Sequence, residues 1–201
     1  MTADSANVPL TAPKRVVEVA RQTMGAIDLD AYGDSVLSPM IGAREFYSRD
    51  ASGRHLHPGG KGRVLMAVPG GGLARGRKLA YRLLADWSEG SVEEALFWTS
   101  HNEIMRQCPW IFDAPLMVCI PFRRLSPRFL DDELDLLRPT RQGSWDFMVY
   151  FPRLSELAAS RARFIGAAGG VGRVIEVGAS PIRWEDGYRL LTGNDYFAEA
   201  E

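Results

Sequence analysis

Residues 64–87 read VLMAVPGGGLARGRKLAYRLLADW, an apolar run followed by glycines and then by an amphipathic stretch. The run Val64 to Val68 is typical of a short buried strand, which Pro69 and the glycines after it end. Apolar residues then recur at helical spacing, which predicts a helix from about Arg75 to Trp87. The residues expected on its buried side are Leu79, Ala80, Leu83, Leu84 and Trp87. The segment is therefore predicted to form a strand, a glycine loop and a helix.

The same periodicities predict further elements on both sides of this unit. Helices are expected over residues 13–24, 103–110, 126–139 and 154–165, the last with Leu157, Ala158, Arg161 and Ile165 on one side. Strands are expected over residues 45–49, 95–99, 115–122, 145–151 and 173–177, with a hairpin over 182–191, whereas residues 26–43 match no single element. This mixture predicts a fold of the α/β class (α+β mixed), with one layered domain and a central, mostly antiparallel sheet flanked by helices.

Length and composition limit the class of protein. A chain of 201 residues with 46% hydrophobic residues fits one globular domain, which we place at residues 11–201 after a flexible lead of residues 1–10. No apolar run approaches the roughly 18 residues that cross a bilayer, and the first ten residues lack the pattern of a signal peptide. Cys108 and Cys119 stand among apolar neighbours, which predicts two buried, reduced thiols. These features predict a cytoplasmic protein without a membrane span.

Charge is distributed unevenly along the chain. Between Asp50 and Asp86 there are seven basic residues and no acid, although the whole chain carries a formal charge of −1. The basic residues are Arg54, Lys61, Arg63, Arg75, Arg77, Lys78 and Arg82, with His55 and His57 beside them. This segment indicates a surface for an anionic partner, either an acidic protein or a phosphate-bearing small molecule. Nucleic acid is a less favoured partner than either, because Tyr81 is the segment's single aromatic residue and the chain as a whole is not basic.

A glycine loop that joins a strand to a helix is an arrangement that suits phosphate. Unpaired backbone N–H groups and the helix dipole both point at such a loop. The candidate anion-binding residues are Gly70, Gly71, Gly72, Arg75, Gly76, Arg77 and Lys78. The nucleotide-hydrolysing P-loop does not fit, because Arg77 and Lys78 stand where Lys and Ser or Thr are required. The pattern is equally typical of a solvent-exposed loop beside a basic helix face.

His101 is the candidate catalytic base, because it follows the apolar run 95–99 and α/β folds place chemistry at strand ends. Glu103 stands two residues later and could complete an acid–base pair. The alternative is that Ser100 or Asn102 caps the next helix and that His101 is a surface residue. No Cys or His pair has the spacing of a metal site, so no metal is predicted.

Residues 36–98 resemble the toxin-activating lysine acyltransferases, which are GNAT-like enzymes. The matching residues are Leu37, Pro39, Ile41, Phe46, Arg49 and Asp50, then the block Asp86-Trp87-Ser88-Glu89-Gly90, and Trp98. Arg75-Gly76-Arg77 with Leu79, Leu83 and Leu84 is also similar to the acyl-CoA pyrophosphate loop of GNAT enzymes. The first match makes residues 95–99 the cofactor strand, whereas the second makes it residues 64–68.

The resemblance implies an acyltransferase that takes its acyl group from acyl-CoA or acyl carrier protein, used as a co-substrate and not held tightly. In that family a catalytic His precedes the Leu37 segment, but no His occurs here before His55. The family's catalytic Asp corresponds to Phe97, so the usual acid–base pair is absent. Either His101 has taken over as the base, or the protein keeps the fold without the chemistry. The alternative function is a non-enzymatic binding or assembly protein that docks an acidic partner on the basic segment 54–82.

Overall fold

The fold was analysed in a computed structural model, which describes residues 12–33, 38–39, 41–48, 62–68, 73–109, 111, 114–123, 125 and 146–178. The helices are α1 (Lys14–Met24), α2 (Leu73–Ser88), α3 (Asn102–Gln107) and α4 (Leu157–Ala168), and a 3-10 turn (Leu154–Glu156) leads into α4. The strands are β1 (Ile27–Gly33), β2 (Ala43–Ser48), β3 (Gly62–Val68), β4 (Val92–Thr99), β5 (Met117–Pro121), β6 (Phe147–Phe151) and β7 (Gly172–Glu176).

The described strands form one sheet in the order β2-β1-β3-β4-β6-β5-β7. The pairings of β1 with β2, β1 with β3 and β3 with β4 are parallel, and the other three are antiparallel. The sheet is therefore mixed, and the expectation of a mostly antiparallel sheet is wrong in this respect. The cause is α2, which carries the chain across the sheet and returns it beside β3 in the same direction.

Helices cover both faces of the sheet. Alternate residues of β3 divide between the faces: Val64, Met66 and Val68 pack with α2, whereas Leu65 and Ala67 pack with α1. The face that carries α2 also holds Ile104 of α3, and the opposite face holds Phe164 of α4. Because β3 is buried on both faces, its sequence is a continuous apolar run without alternation. A mixed α/β fold of helix, sheet and helix layers is confirmed.

Several local expectations hold closely. α1 ends where Gly25 adopts a positive φ of 79° and its N–H bonds the Arg21 carbonyl oxygen. The five apolar residues expected on the inner side of α2 are all buried, and so are the two free thiols.

No helix in the described part of the chain is long and apolar enough to cross a membrane. The predicted helix 126–139 and hairpin 182–191 lie outside the described residues, as does the lead 1–10.

Two parts of the chain differ from expectation. Residues 27–33, which matched no element, form β1, the second strand of the sheet between β2 and β3, and its buried Asp30 interrupts the apolar pattern. In α4 the buried residues are Ser160, Phe164 and Ala168, whereas Ala158 and Ile165 of the predicted inner side are exposed. The ring of Phe164 stacks on Tyr150 of β6 with 4.8 Å between centroids, and this contact fixes which side of α4 faces the sheet.

We predict that two adjacent substitutions in α4 have very different effects on stability. Phe164 is fully buried, so Phe164→Ala should lower the free energy of unfolding by about 3–5 kcal/mol. Ile165 is 44% exposed, so Ile165→Ala should lower it by less than about 1 kcal/mol. Urea unfolding followed by circular dichroism measures both values, and a larger effect at Ile165 would contradict the orientation of α4.

Candidate functional site

The parallel strands β1, β3 and β4 end at one edge of the sheet, next to the end of β2. β3 and β4 are in register up to Val68 and Thr99, so the segments that follow these two residues start side by side. The chain passes from Val68 to α2, which begins at Leu73, and from Thr99 to His101. β1 runs parallel to β3 and ends at Gly33 on the same edge. The predicted glycine loop and the predicted base therefore follow neighbouring strand ends.

The first turns of α2 carry the described part of the predicted anion site. The helix begins at Leu73, two residues earlier than expected, and has no acid in its first turn. Arg77 and Lys78 are exposed. Arg75 lies in this helix, although its side chain is not among those described, and Gly70, Gly71 and Gly72 lie outside the described residues.

Gly76 allows α2 to approach α3 closely. A Cβ atom on Gly76 would lie 2.7 Å from Cδ1 of Ile104, well inside normal contact distance. Farther along the same pair of helices, the hydroxyl of Tyr81 donates to the carbonyl oxygen of Gln107 at 3.3 Å. These two contacts hold α3 along its length against the part of α2 between Gly76 and Tyr81. The contribution of Gly76 to the site is thus close packing.

His101 is half-buried and stands at the N-cap position of α3 without forming a side-chain cap. Its backbone N–H donates to Oγ1 of Thr99 at 3.1 Å, which fixes the turn between β4 and α3. Glu103, in contrast, accepts two hydrogen bonds from Arg106 on the same helix, at 2.7 and 2.9 Å. The structure therefore places His101 at the strand edge and directs the Glu103 carboxylate towards Arg106.

Two members of the basic segment are engaged in ion pairs within the fold. Arg63 donates to both carboxylate oxygens of Asp28, at 2.8 and 3.0 Å, and these hydrogen bonds lower the pKa of Asp28. This pair lies at the start of β3, at the edge opposite to His101. Arg82 pairs with the buried Asp86 at 3.2 Å. Arg54, His55, His57 and Lys61 lie outside the described residues, so Arg77 and Lys78 are the described exposed cations of the segment.

Sequence reasoning missed a buried polar pair beside the end of β1. Ser38 donates to Oδ2 of Asp30 at 2.7 Å, and the backbone N–H of Tyr32 donates to Oδ1 at 3.3 Å. Asp30 and Ser38 are only 3% and 1% exposed. The sequence signal was an acid inside an apolar stretch, which we did not assign to a strand.

A second polar cluster lies at the opposite edge of the sheet. Glu94 of β4 is buried and accepts hydrogen bonds from the hydroxyl of Tyr150 and, at 2.8 Å, from Arg163. Burial and the neighbouring Glu94 carboxylate raise the pKa of Tyr150. Arg163 also donates to the carbonyl oxygen of Thr23 at 2.9 Å, so one guanidinium joins α1, β4 and α4. This arrangement holds the two helices on the sheet.

The block on which the family resemblance depends lies far from His101. Asp86 and Trp87 stand in the last turn of α2, whose 16 residues span about 24 Å. Trp87 is buried, packs edge-on against Phe151 and donates its indole N–H to the carbonyl oxygen of Pro152 at 2.9 Å. Phe97, which the resemblance aligns with that family's catalytic Asp, is buried in the core beneath α2. These residues have structural roles here.

We predict that Gly76 and Ile104 are energetically coupled. Alanine favours a helix interior by about 1 kcal/mol over glycine, but at Gly76 its Cβ would meet Cδ1 of Ile104. Ile104→Val removes that atom alone. Gly76→Ala should therefore be more favourable in the Ile104→Val background than in the wild type, by about 1 kcal/mol. A double-mutant cycle by urea unfolding measures this coupling, and additive effects would contradict the contact.

Comparisons with known proteins identify no relative of this chain. No protein-family model matches it, and no curated protein or solved structure resembles it significantly. Among the described residues, no group of three or more His, Cys, Asp or Glu side chains could hold a metal ion. The geometry of the strand edge is therefore the basis for a functional assignment.

Proposed function

We propose that this protein is acyltransferase-like and binds an anionic acyl donor, acyl-CoA or acyl carrier protein, at the edge where β1, β3 and β4 end. The observation that carries the proposal is the divergence of the chain at this edge. From β1 the chain goes to β2 on one side, whereas from β3 it goes through α2 to β4 on the other side. In open parallel sheets, ligands bind in the crevice that such a divergence creates.

The described parts of the two connections lie on opposite faces of the sheet, which supports a crevice between them. α2 packs on one face, whereas Ser38, in the connection from β1 to β2, donates to Asp30, which pairs with Leu65 on the face that carries α1. The ends of β1 and β3 are adjacent in the sheet and lie between these two walls. A ligand could thus reach backbone groups at the strand ends without disturbing either core.

The charge of the α2 wall favours an anion. The first N–H groups of a helix have no partner within the helix, and the macrodipole places partial positive charge there. α2 has no acid in its first turn, and Arg77 and Lys78 add two exposed cations near its start. A phosphate or pyrophosphate group matches both features.

His101 is proposed to serve as the base in acyl transfer. It follows the strand end next to α2, where the thioester of a bound donor would lie. The imidazole would take the proton of the acceptor nucleophile while the acceptor forms a bond to the acyl carbon. The carbon–sulfur bond then breaks, and the thiol leaves with that proton. Because Glu103 binds Arg106, it is not assigned a role in this step.

We predict that the double substitution Arg77→Glu with Lys78→Glu weakens binding of coenzyme A by more than tenfold. Two exposed cations near the start of α2 become anions, so attraction to phosphate becomes repulsion. Isothermal titration calorimetry at two ionic strengths measures the loss, and the wild-type affinity should fall as salt increases.

The matched control is Arg123→Glu with Arg173→Glu, which makes the same change in net charge. Both residues are exposed, and they lie at the β5–β7 side of the sheet. This control should bind coenzyme A within about twofold of the wild type. Equal losses in the two double variants would show that only net charge matters and would contradict a site at α2.

We predict that His101→Ala lowers the rate of acyl transfer by about 10²–10⁴-fold while leaving donor affinity nearly unchanged. The assay mixes the protein with acyl-CoA or acyl carrier protein and follows covalent product by intact mass spectrometry. Normal turnover in the variant would remove His101 from the mechanism. Donor binding without any product in the wild type would favour the non-enzymatic alternative, in which this face docks an acidic partner.

A further inference from the structure

We infer that Asp30 and Ser38 are positioning residues that fix the wall of this crevice opposite α2. The inference rests on the proposed function, because it assigns a role to residues that lie beneath the proposed crevice, beside the end of β1. Neither residue was a candidate from the sequence. Both are almost fully buried, so they would act through the backbone that they hold and not by touching the ligand.

Asp30 joins the last residues of β1 to residues that precede β2. Its Oδ2 accepts the hydroxyl of Ser38 at 2.7 Å, and its Oδ1 accepts the N–H of Tyr32 at 3.3 Å. The carboxylate thus connects the last residues of β1 to the segment 38–43. Hydrogen bonds to charged groups are stronger than those between neutral groups, which suits a fixed wall.

The segment 38–43 is anchored beyond Ser38 as well. The Ser38 carbonyl oxygen accepts the N–H of Ala43 at 3.2 Å, and the Pro39 carbonyl oxygen accepts that of Gly42 at 3.0 Å. Ile41 is fully buried with α1. The segment is therefore a tight turn whose far end leads into β2 beside Ile27, and Ser38 is the point at which it is attached near the end of β1.

Gly33 shows how closely these parts approach. A Cβ atom there would clash with Oγ of Ser38, and it would lie 2.8 Å from Cβ of Phe46 and 2.9 Å from Oδ2 of Asp30. No side chain fits between β1 and the Ser38 turn without displacing one of them. The last residue of β1 is thus fitted to the Asp30–Ser38 bond, which fixes the position of the wall at the mouth of the crevice.

A positioning role and a simple charge effect predict opposite results for Asp30→Asn. If the carboxylate acted only through its negative charge, its removal would strengthen binding of an anion. If it holds Ser38 and Tyr32, the amide can offer one oxygen in place of two, so the wall loosens and binding weakens. Whether Asp30→Asn strengthens or weakens anion binding therefore distinguishes the two roles.

The experiment measures the affinity of the full chain for coenzyme A by calorimetry, together with the melting temperature of each variant. Ser38→Ala should raise Kd by about tenfold, because Asp30 loses its hydroxyl donor, and Asp30→Asn should also raise Kd. Ser160→Ala is the matched control, since it removes another buried hydroxyl, which donates to the Glu156 carbonyl oxygen at 2.9 Å on α4. It should lower the melting temperature but leave Kd within twofold.

Each other outcome decides a different question. Coenzyme A binding unchanged in Ser38→Ala, or tightened in Asp30→Asn, overturns the positioning role and leaves the proposed function in place. An equal loss of coenzyme A affinity in Ser160→Ala also overturns the positioning role, because general destabilisation of the protein then explains the effect. If the wild type binds neither coenzyme A nor acyl carrier protein, the proposed function fails, and this inference fails with it; if it binds acyl carrier protein alone, the same variants are compared with that ligand. If Ser38→Ala does not fold, the sign of the change in Asp30→Asn decides.

Discussion

The parallel pairing of β3 with β4 is the constraint from which the arrangement of the whole chain follows. Two neighbouring strands that run in the same direction need a connection across one face of the sheet, and α2 supplies it. Once α2 covers that face, the opposite face of β3 and β4 is still apolar and must also be covered, which α1 and α4 accomplish. The same pairing brings the start of α2 next to the turn that carries His101.

Because helices cover both faces of the sheet, some charged side chains are buried, and nearby polar or oppositely charged groups bind them. Glu94 is the clearest case, because a buried carboxylate without partners would be strongly destabilising. Tyr150 and Arg163 bind it, and Arg163 reaches α1 as well. Apolar packing of similar volume often gives equal stability, so the distinctive effect of this cluster is that it connects both helices to β4. The polar clusters at the two edges of the sheet thus have different roles. The Glu94 cluster connects helices to the sheet, whereas the Asp30–Ser38 pair lies beside the proposed crevice.

Part of the candidate site could be read from the sequence, and part could not. The strand–glycine–helix order and the exposed Arg77 and Lys78 were predictable because they are local features of one contiguous segment. The partner of Glu103 was not predictable from the sequence. Both His101 and Arg106 are close to Glu103 along the chain, and only the helix geometry of α3 favours Arg106. Asp30 and Ser38 were missed for a related reason. An acid inside a strand has no local explanation until the chain folds back to supply Ser38.

By itself, the sequence determined the class of fold, the position of most helices and strands, and the inner side of α2. These depend on hydrophobic periodicity and on glycine and proline positions, which act over a few residues. Only the tertiary structure decided the parallel pairings, the place of β1 in the sheet and the inner side of α4. In α4 the apolar residues do not form one clear stripe, so the stacking of Phe164 on Tyr150 sets its orientation. Contacts between residues distant in sequence carry no local pattern, and for this reason they appear only when the chain is packed.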